Sequence, residues 1–187
     1  MPSFPDLDRP LTGSVAELRF AAERDIPEVL IAHQDDPQLH LRLGLDRPPS
    51  GAELGRRAEA SPADRATGAS AWLTIVAPRS DECWGQIEVH EVDWDHLRAE
   101  AGIWIAPAHR GRGMAPDALR LSGRWLLSRC GLKRVQLTVE PDNAPMRRAA
   151  EKAGLREEGT LRGYRRERRH RVDVVMMSLV TADLDGA

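Results

Sequence analysis

The spacing of apolar residues changes period several times along the chain, and each change marks an element. Val15 to Phe20 alternates apolar and polar and predicts a first strand. Val29, Leu30 and Ile31 then follow Asp25-Ile26-Pro27, where an N-cap residue type and a first-turn proline start a helix that ends near Asp35-Asp36-Pro37. Gln38 to Leu43 and Ala52 to Ala60 predict two more helical pieces, separated by the loop Arg47-Pro48-Pro49-Ser50-Gly51. Ser61 to Ala69 is polar and turn-rich. Ala71–Ala77 and Trp84–Val89 predict a hairpin, Val92 to Arg98 a loop, and Ala99–Ala106 a further strand. Pro116 to Cys130 predicts a helix. Leu132 to Val139 places Val135, Leu137 and Val139 on one face of a strand. Pro145 to Ala153 predicts a helix stopped by Gly154, and Arg156–Leu161 and Val172–Val180 two last strands around a charged connection. The order implies one α/β (α+β) domain over residues 14–181, with a mixed, mostly antiparallel central sheet flanked by helices. Residues 1–13 are expected to be a flexible lead-in and 182–187 a tail.

Composition narrows the function classes. A length of 187 residues suits one domain with a full core. The net charge of −2 gives no general attraction to nucleic acid or acidic membranes, although all but two of the 27 basic residues are arginine. Cys83 and Cys130 have no metal-like spacing, and no metal site is expected. No stretch approaches the roughly 20 apolar residues of a membrane span. The polar, proline-rich N-terminus lacks a signal-peptide core, so a soluble cytoplasmic protein is the default expectation. The most basic run, Arg165 to Arg171, reads either as a solvated hairpin connection or as a patch attracting an acidic acceptor. It has no interleaved aromatics to stack bases, which argues against RNA.

The segment Arg110-Gly111-Arg112-Gly113-Met114-Ala115 lies between a predicted strand and a predicted helix. A short Gly/Arg turn there can offer backbone N–H groups and a helix N-terminus to a phosphate, and glycine lets the backbone approach closely. With Glu100-Ala101-Gly102-Ile103-Trp104-Ile105 before it, Arg110-x-x-Gly113-x-Ala115 resembles the acetyl-CoA-binding core of the GNAT N-acetyltransferases. Asn143 with Glu151-Lys152-Ala153-Gly154-Leu155 is similar to a second segment of that superfamily. Asp35-Asp36-Pro37, Gly85-x-Ile87 and Asp173 are similar to its ribosomal-protein N-terminal acetyltransferase branch.

The resemblance implies a GNAT-like domain whose sheet splays a parallel pair, 100–106 and 132–139, to admit acetyl-CoA. It implies cofactor contacts at Trp104, Ile105, Arg110, Gly111, Arg112, Gly113, Met114, Ala115, Asn143 and Arg147. The implied reaction is direct attack of a primary amine on the thioester, with a backbone N–H near Trp104 or Ile105 holding the oxyanion. A base must then take a proton from the amine. Glu100, Glu88 and His90 are the catalytic candidates, each with an alternative as an ordinary strand residue. Trp94 and Tyr164 are candidates to line the acceptor site, with a structural role the favoured reading of Tyr164. The family often has a tyrosine acid seven residues after the asparagine and a serine three after it; Ala150 and Met146 stand there instead. A protein or peptide α-amine is the expected acceptor, with a small-molecule amine or a non-catalytic CoA-binding module as alternatives. The resemblance leaves a homodimer open.

Overall fold

The structure, a computed structural model, describes residues 2–167 and 169–184. Arg168 of the basic run and the last three residues of the expected tail lie outside the described residues. The strands are β1 (Leu11–Thr12), β2 (Glu17–Phe20), β3 (Ala71–Val76), β4 (Gly85–Asp93), β5 (Arg98–Ile105), β6 (Arg134–Val139), β7 (Arg156–Glu167) and β8 (His170–Val180). The helices are α1 (Ile26–Asp35), α2 (Leu39–Arg42), α3 (Gly51–Thr67), α4 (Met114–Ser128) and α5 (Ala144–Lys152). Among the described residues the strands form one sheet in the order β1-β2-β3-β4-β5-β6-β8-β7. Every neighbouring pair is antiparallel except β5 and β6.

Strand alternation divides the sheet into two faces. On one, Leu18, Leu73, Ile87, Ala101, Leu137 and Met177 pack against Leu119, Trp125 and Leu126 of α4 and Ala150 of α5. On the other, Trp104 joins Val29 and Ala32 of α1, Leu54 of α3 and Cys83 in a smaller core. Each fully buried Leu or Val contributes roughly 1.5–3 kcal/mol, so the larger cluster carries most of the fold's stability. Cys83 and Cys130 are both free, and burial pushes each thiol up to about 12.

Four expectations need correction. The expected lead-in is anchored at two points: Phe4 is buried between Trp94 and Trp125, with ring centroids 5.5 and 5.9 Å away, and β1 pairs with β2. Helix α3 runs through the polar stretch after Ala60 to Thr67. Ser61 is buried, Gly68 supplies a left-handed stop at φ 72°, and Ser50 with Glu53 closes a capping box at the other end. Asp25 stands at the N-cap of α1, but its carboxylate accepts from Arg19, Thr74 Oγ1 and the Ala22 N–H rather than from the helix. Strands β7 and β8 extend through most of the expected charged connection, because Arg165 turns inward to Glu140 and Glu167.

Candidate active site

Strands β5 and β6 pair through only three positions, Arg98↔Arg134, Ala99↔Val135 and Glu100↔Gln136. Beyond Glu100 both strands continue, to Ile105 and Val139, but no longer pair with each other. The fork leaves facing backbone groups that an extended ligand can engage as an added strand would.

Glu100 is the last residue of β5 to pair with β6 and locks the fork. Thr138 Oγ1 donates to its carboxylate at 2.7 Å and Gln136 Nε2 at 3.2 Å. Burial at 7 % exposure and two committed oxygens make Glu100 a brace across the fork, less available as a base.

The turn after β5 has the backbone expected of an anion cradle. Gly111 and Gly113 take φ 77° and 79°, and Gly113 is the left-handed N-cap of α4. Neither position would clash with an added Cβ, so conformation rather than space calls for glycine. The first N–H groups of α4 lack intrahelical partners and add the positive end of the helix dipole. Asp117, in that first turn, does not oppose an anion there, because its carboxylate accepts from the Val15 and Ala16 N–H groups and from Arg120.

The arginine side chains of the turn act differently from the expectation. Arg110 donates through Nε to the Ile105 carbonyl at 2.9 Å and through Nη2 to Asp36 at 2.6 Å. Asp36, which also accepts from Arg42 and the Gln38 N–H, thereby ties the end of α1 to the turn. Desolvation would raise the Asp36 carboxyl, but the Arg110 and Arg42 guanidiniums hold it below its ordinary value. Arg112 turns back to the Ala108 carbonyl at 3.1 Å. Arg110 therefore braces the turn with its charge already matched.

Asn143 is the N-cap of α5, accepting from the Met146 N–H at 3.2 Å. Arg147 pairs with Glu157 at 2.7 Å and reaches the Pro141 carbonyl. Both side chains have structural partners at the end of β6. Ala150 is fully buried and carries no acidic proton.

The register of β4 on β5 brings the catalytic candidates together: His90 pairs with Glu100 and Glu88 with Gly102, all on the α1/α3 face. Glu88 makes no hydrogen bond among the described residues, and burial raises its carboxyl despite the opposing charges of His90 and Arg57. A Cβ on Gly102 would stand 3.8 Å from His90 Nε2, so the missing side chain leaves space between the candidate acids and the fork. Tyr164 is 45 % exposed; burial, Glu100 and Glu91 raise its hydroxyl. Trp94 does not border this space: its indole donates to the Gly68 carbonyl at 2.9 Å and its ring packs on Phe4.

Glu88, Gly102 and Trp104 line a solvent-open cleft together with His33, Arg57 and Trp72. Sequence reasoning missed His33 and Arg57 as site residues. Arg57 follows buried Leu54 by three residues and precedes buried Ser61 by four, so the helical period put it on the inward face of α3. His33 likewise follows buried Val29 by four. Among the described residues no group of three or more His, Cys, Asp or Glu could hold a metal ion, and no helix is long and apolar enough to cross a membrane.

Fork, turn and cleft define an acyl-CoA-type transferase fold, and the comparisons place it. The model of the acetyltransferase (GNAT) domain matches residues 16–156, and the chain belongs to that family. It is 28 % identical over 114 residues to the uncharacterized N-acetyltransferase p20 of Bacillus licheniformis. That match covers 61 % of this chain and 64 % of p20, so it spans less than two thirds of the relative's length. The structure of Mycobacterium smegmatis RimJ in complex with CoA-disulfide superposes with a TM-score of 0.80 at 25 % identity, covering 94 % of this chain and 88 % of that one. An acetyl transferase from Salmonella typhimurium, described as modifying the N-terminal serine of ribosomal protein L7/L12, superposes at 0.77. At 17 % identity, over 92 % of this chain and 99 % of that one, the second likeness shows the fold alone.

Proposed function

We propose that the protein transfers an acetyl group from acetyl-CoA to the α-amine of a peptide or protein N-terminus, by direct attack in a ternary complex. The observation that carries the reading is the fork between β5 and β6, which opens onto Glu88 and the cleft and ends at the Gly111–Gly113 turn. The residues fit acetyl-CoA: positive-φ glycines and a helix N-terminus suit its pyrophosphate, and unpaired strand edges suit its pantetheine arm. Acetyl-CoA would supply a thioester reactive toward a neutral amine.

Glu88 is assigned as the base. It lies in the cleft without a hydrogen-bond partner, and its raised carboxyl is better matched to an ammonium near neutral pH than an ordinary glutamate. It accepts the ammonium proton directly or through one water, with His90 beside it on β4. Glu100 holds the fork's geometry through Thr138 and Gln136. A backbone N–H on the open edge of β5 would stabilise charge on the carbonyl oxygen. The departing thiolate takes its proton from solvent, since neither Ala150 nor Met146 offers one. A protein acceptor fits the 31 % identity over 104 residues to YdaF of Bacillus subtilis, which is named as a ribosomal N-acetyltransferase, and a cytoplasmic location fits both substrates.

The test is release of free thiol from acetyl-CoA with a panel of N-terminal peptides and small amines. Peptide-dependent release is expected. Release with small amines alone would refute the peptide acceptor, and no release with any acceptor would refute the transfer.

A further inference from the structure

Arg57 is the cleft residue without a settled partner. Its guanidinium lies 3.8 Å over the Trp72 ring and makes no hydrogen bond or ion pair among the described residues. Other arginines are committed: Arg19 to Asp25, Arg42 and Arg110 to Asp36, Arg165 to Glu140 and Glu167. A guanidinium stacked on an indole and partly withdrawn from water keeps a planar fork of donors, whose strongest complement is a carboxylate. Its charged neighbour in the cleft, Glu88, acts on it through space without forming a salt bridge.

Two further unpaired groups line the same space. His33 is 7 % exposed, and its Nδ1 is buried with no partner. Gln86 is 4 % exposed; its Nε2 donates to Thr74 at 3.4 Å, but its Oε1 is buried with no partner. Unsatisfied buried polar atoms are costly, and two of them on one cleft wall, beside a guanidinium without an ion-pair partner, point to a ligand that completes them. The wall offers a cation at Arg57 and acceptors at Gln86 and Glu88, so it matches a molecule with both an amine and an anion. Charge fixes the orientation: the ammonium goes to Glu88, beside Gly102 and the fork, and the anion to Arg57.

Resting on the reading of this cleft as the acceptor site, we infer that Arg57 selects peptide acceptors with an acidic side chain in their first two residues. Arg57 is a specificity-determining residue: it binds the carboxylate while the α-amine reaches Glu88. His33 borders the same anion subsite, and Trp72 holds the guanidinium plane in place.

Four pentapeptides test the inference, with Asp or Asn at the first or the second position and otherwise identical. Their binding to the CoA-saturated protein is measured by calorimetry, and thiol release from acetyl-CoA in parallel. The wild-type protein should bind one Asp peptide about tenfold or more tighter than its Asn twin, as expected for one charge-assisted pair. In Arg57→Met, which keeps a long apolar stem on Trp72, that ratio should fall to about one while CoA affinity is unchanged. Equal binding of Asp and Asn peptides at both positions by the wild-type protein would overturn the inference whether or not the variant folds. A preference retained in Arg57→Met, or no binding of any peptide, would also overturn it. An Asp preference in binding without acetylation of any peptide would support the carboxylate subsite and refute the proposed transfer.

Discussion

The two sides of the fork are built from different materials. The proposed CoA side is made of backbone: two positive-φ glycines, the first turn of α4 and strand edges that no longer pair. Its side chains, Arg110 through Asp36 and Asn143 through Met146, hold that backbone in place. The proposed acceptor side is made of side chains from four separate elements: His33 of α1, Arg57 of α3, Trp72 of β3 and Glu88 of β4. A phosphate-bearing ligand common to many reactions can be met by fixed backbone dipoles. An acceptor that defines one enzyme has to be met by residues that can be exchanged singly. The difference teaches that affinity for CoA and turnover should respond to separate substitutions.

The largest expected effect is on the acceptor side. Glu88→Gln should lower kcat by about 10²- to 10⁴-fold, the usual contribution of a positioned base, with CoA affinity by calorimetry unchanged. A matching loss of CoA affinity would break the separation. On the other side, Gly113→Val forces a β-branched residue to φ 79°. That strain should weaken CoA binding by about ten- to a hundredfold, and unchanged affinity would remove the turn from the CoA site.

Much of this contrast was legible in the sequence on one side only. Gly111 and Gly113 are read locally, because a turn between a strand and a helix needs nothing from elsewhere in the chain. The alternation of Val135, Leu137 and Val139 fixed the inward face of β6, and the parallel pairing expected for it is present. Period two put Glu88 with His90 on one face of their strand and Glu100 with Gly102 on one face of theirs, and the β4–β5 register brings the two sets side by side. Arg57 and His33 were illegible as a pair: their meeting depends on how α1 and α3 pack on the sheet. Phe4 was missed because one aromatic in a proline-rich stretch shows no period; its partners, Trp94 and Trp125, are some 90 and 120 residues away in sequence. The pairing of Arg110 was illegible for the same reason, since its partner Asp36 lies on another element.

Smaller effects sharpen the comparison. The Glu88 carboxyl is raised above its ordinary value of 4.5, and the base works only when ionised. The acidic limb of kcat/KM should therefore lie above that value, with activity lost as pH falls through the raised pKa. A limb at the ordinary glutamate value would assign the base elsewhere. Asp36→Asn should weaken CoA binding by only roughly twofold to fivefold, as expected for a partly exposed pair that braces the turn. Because the Asp36 carboxyl is held low, its stabilising contribution is present at neutral pH and lost as pH falls through the lowered pKa. Thermal melts of wild type and Asp36→Asn should accordingly converge in acid.

The central claim is that Glu88 performs the chemistry while Glu100 holds the fork. It is tested by measuring kcat with saturating acetyl-CoA and a peptide acceptor for Glu88→Gln and Glu100→Gln side by side. The account predicts that the Glu88 substitution costs at least about tenfold more than the Glu100 substitution, whereas a larger loss in Glu100→Gln would contradict it.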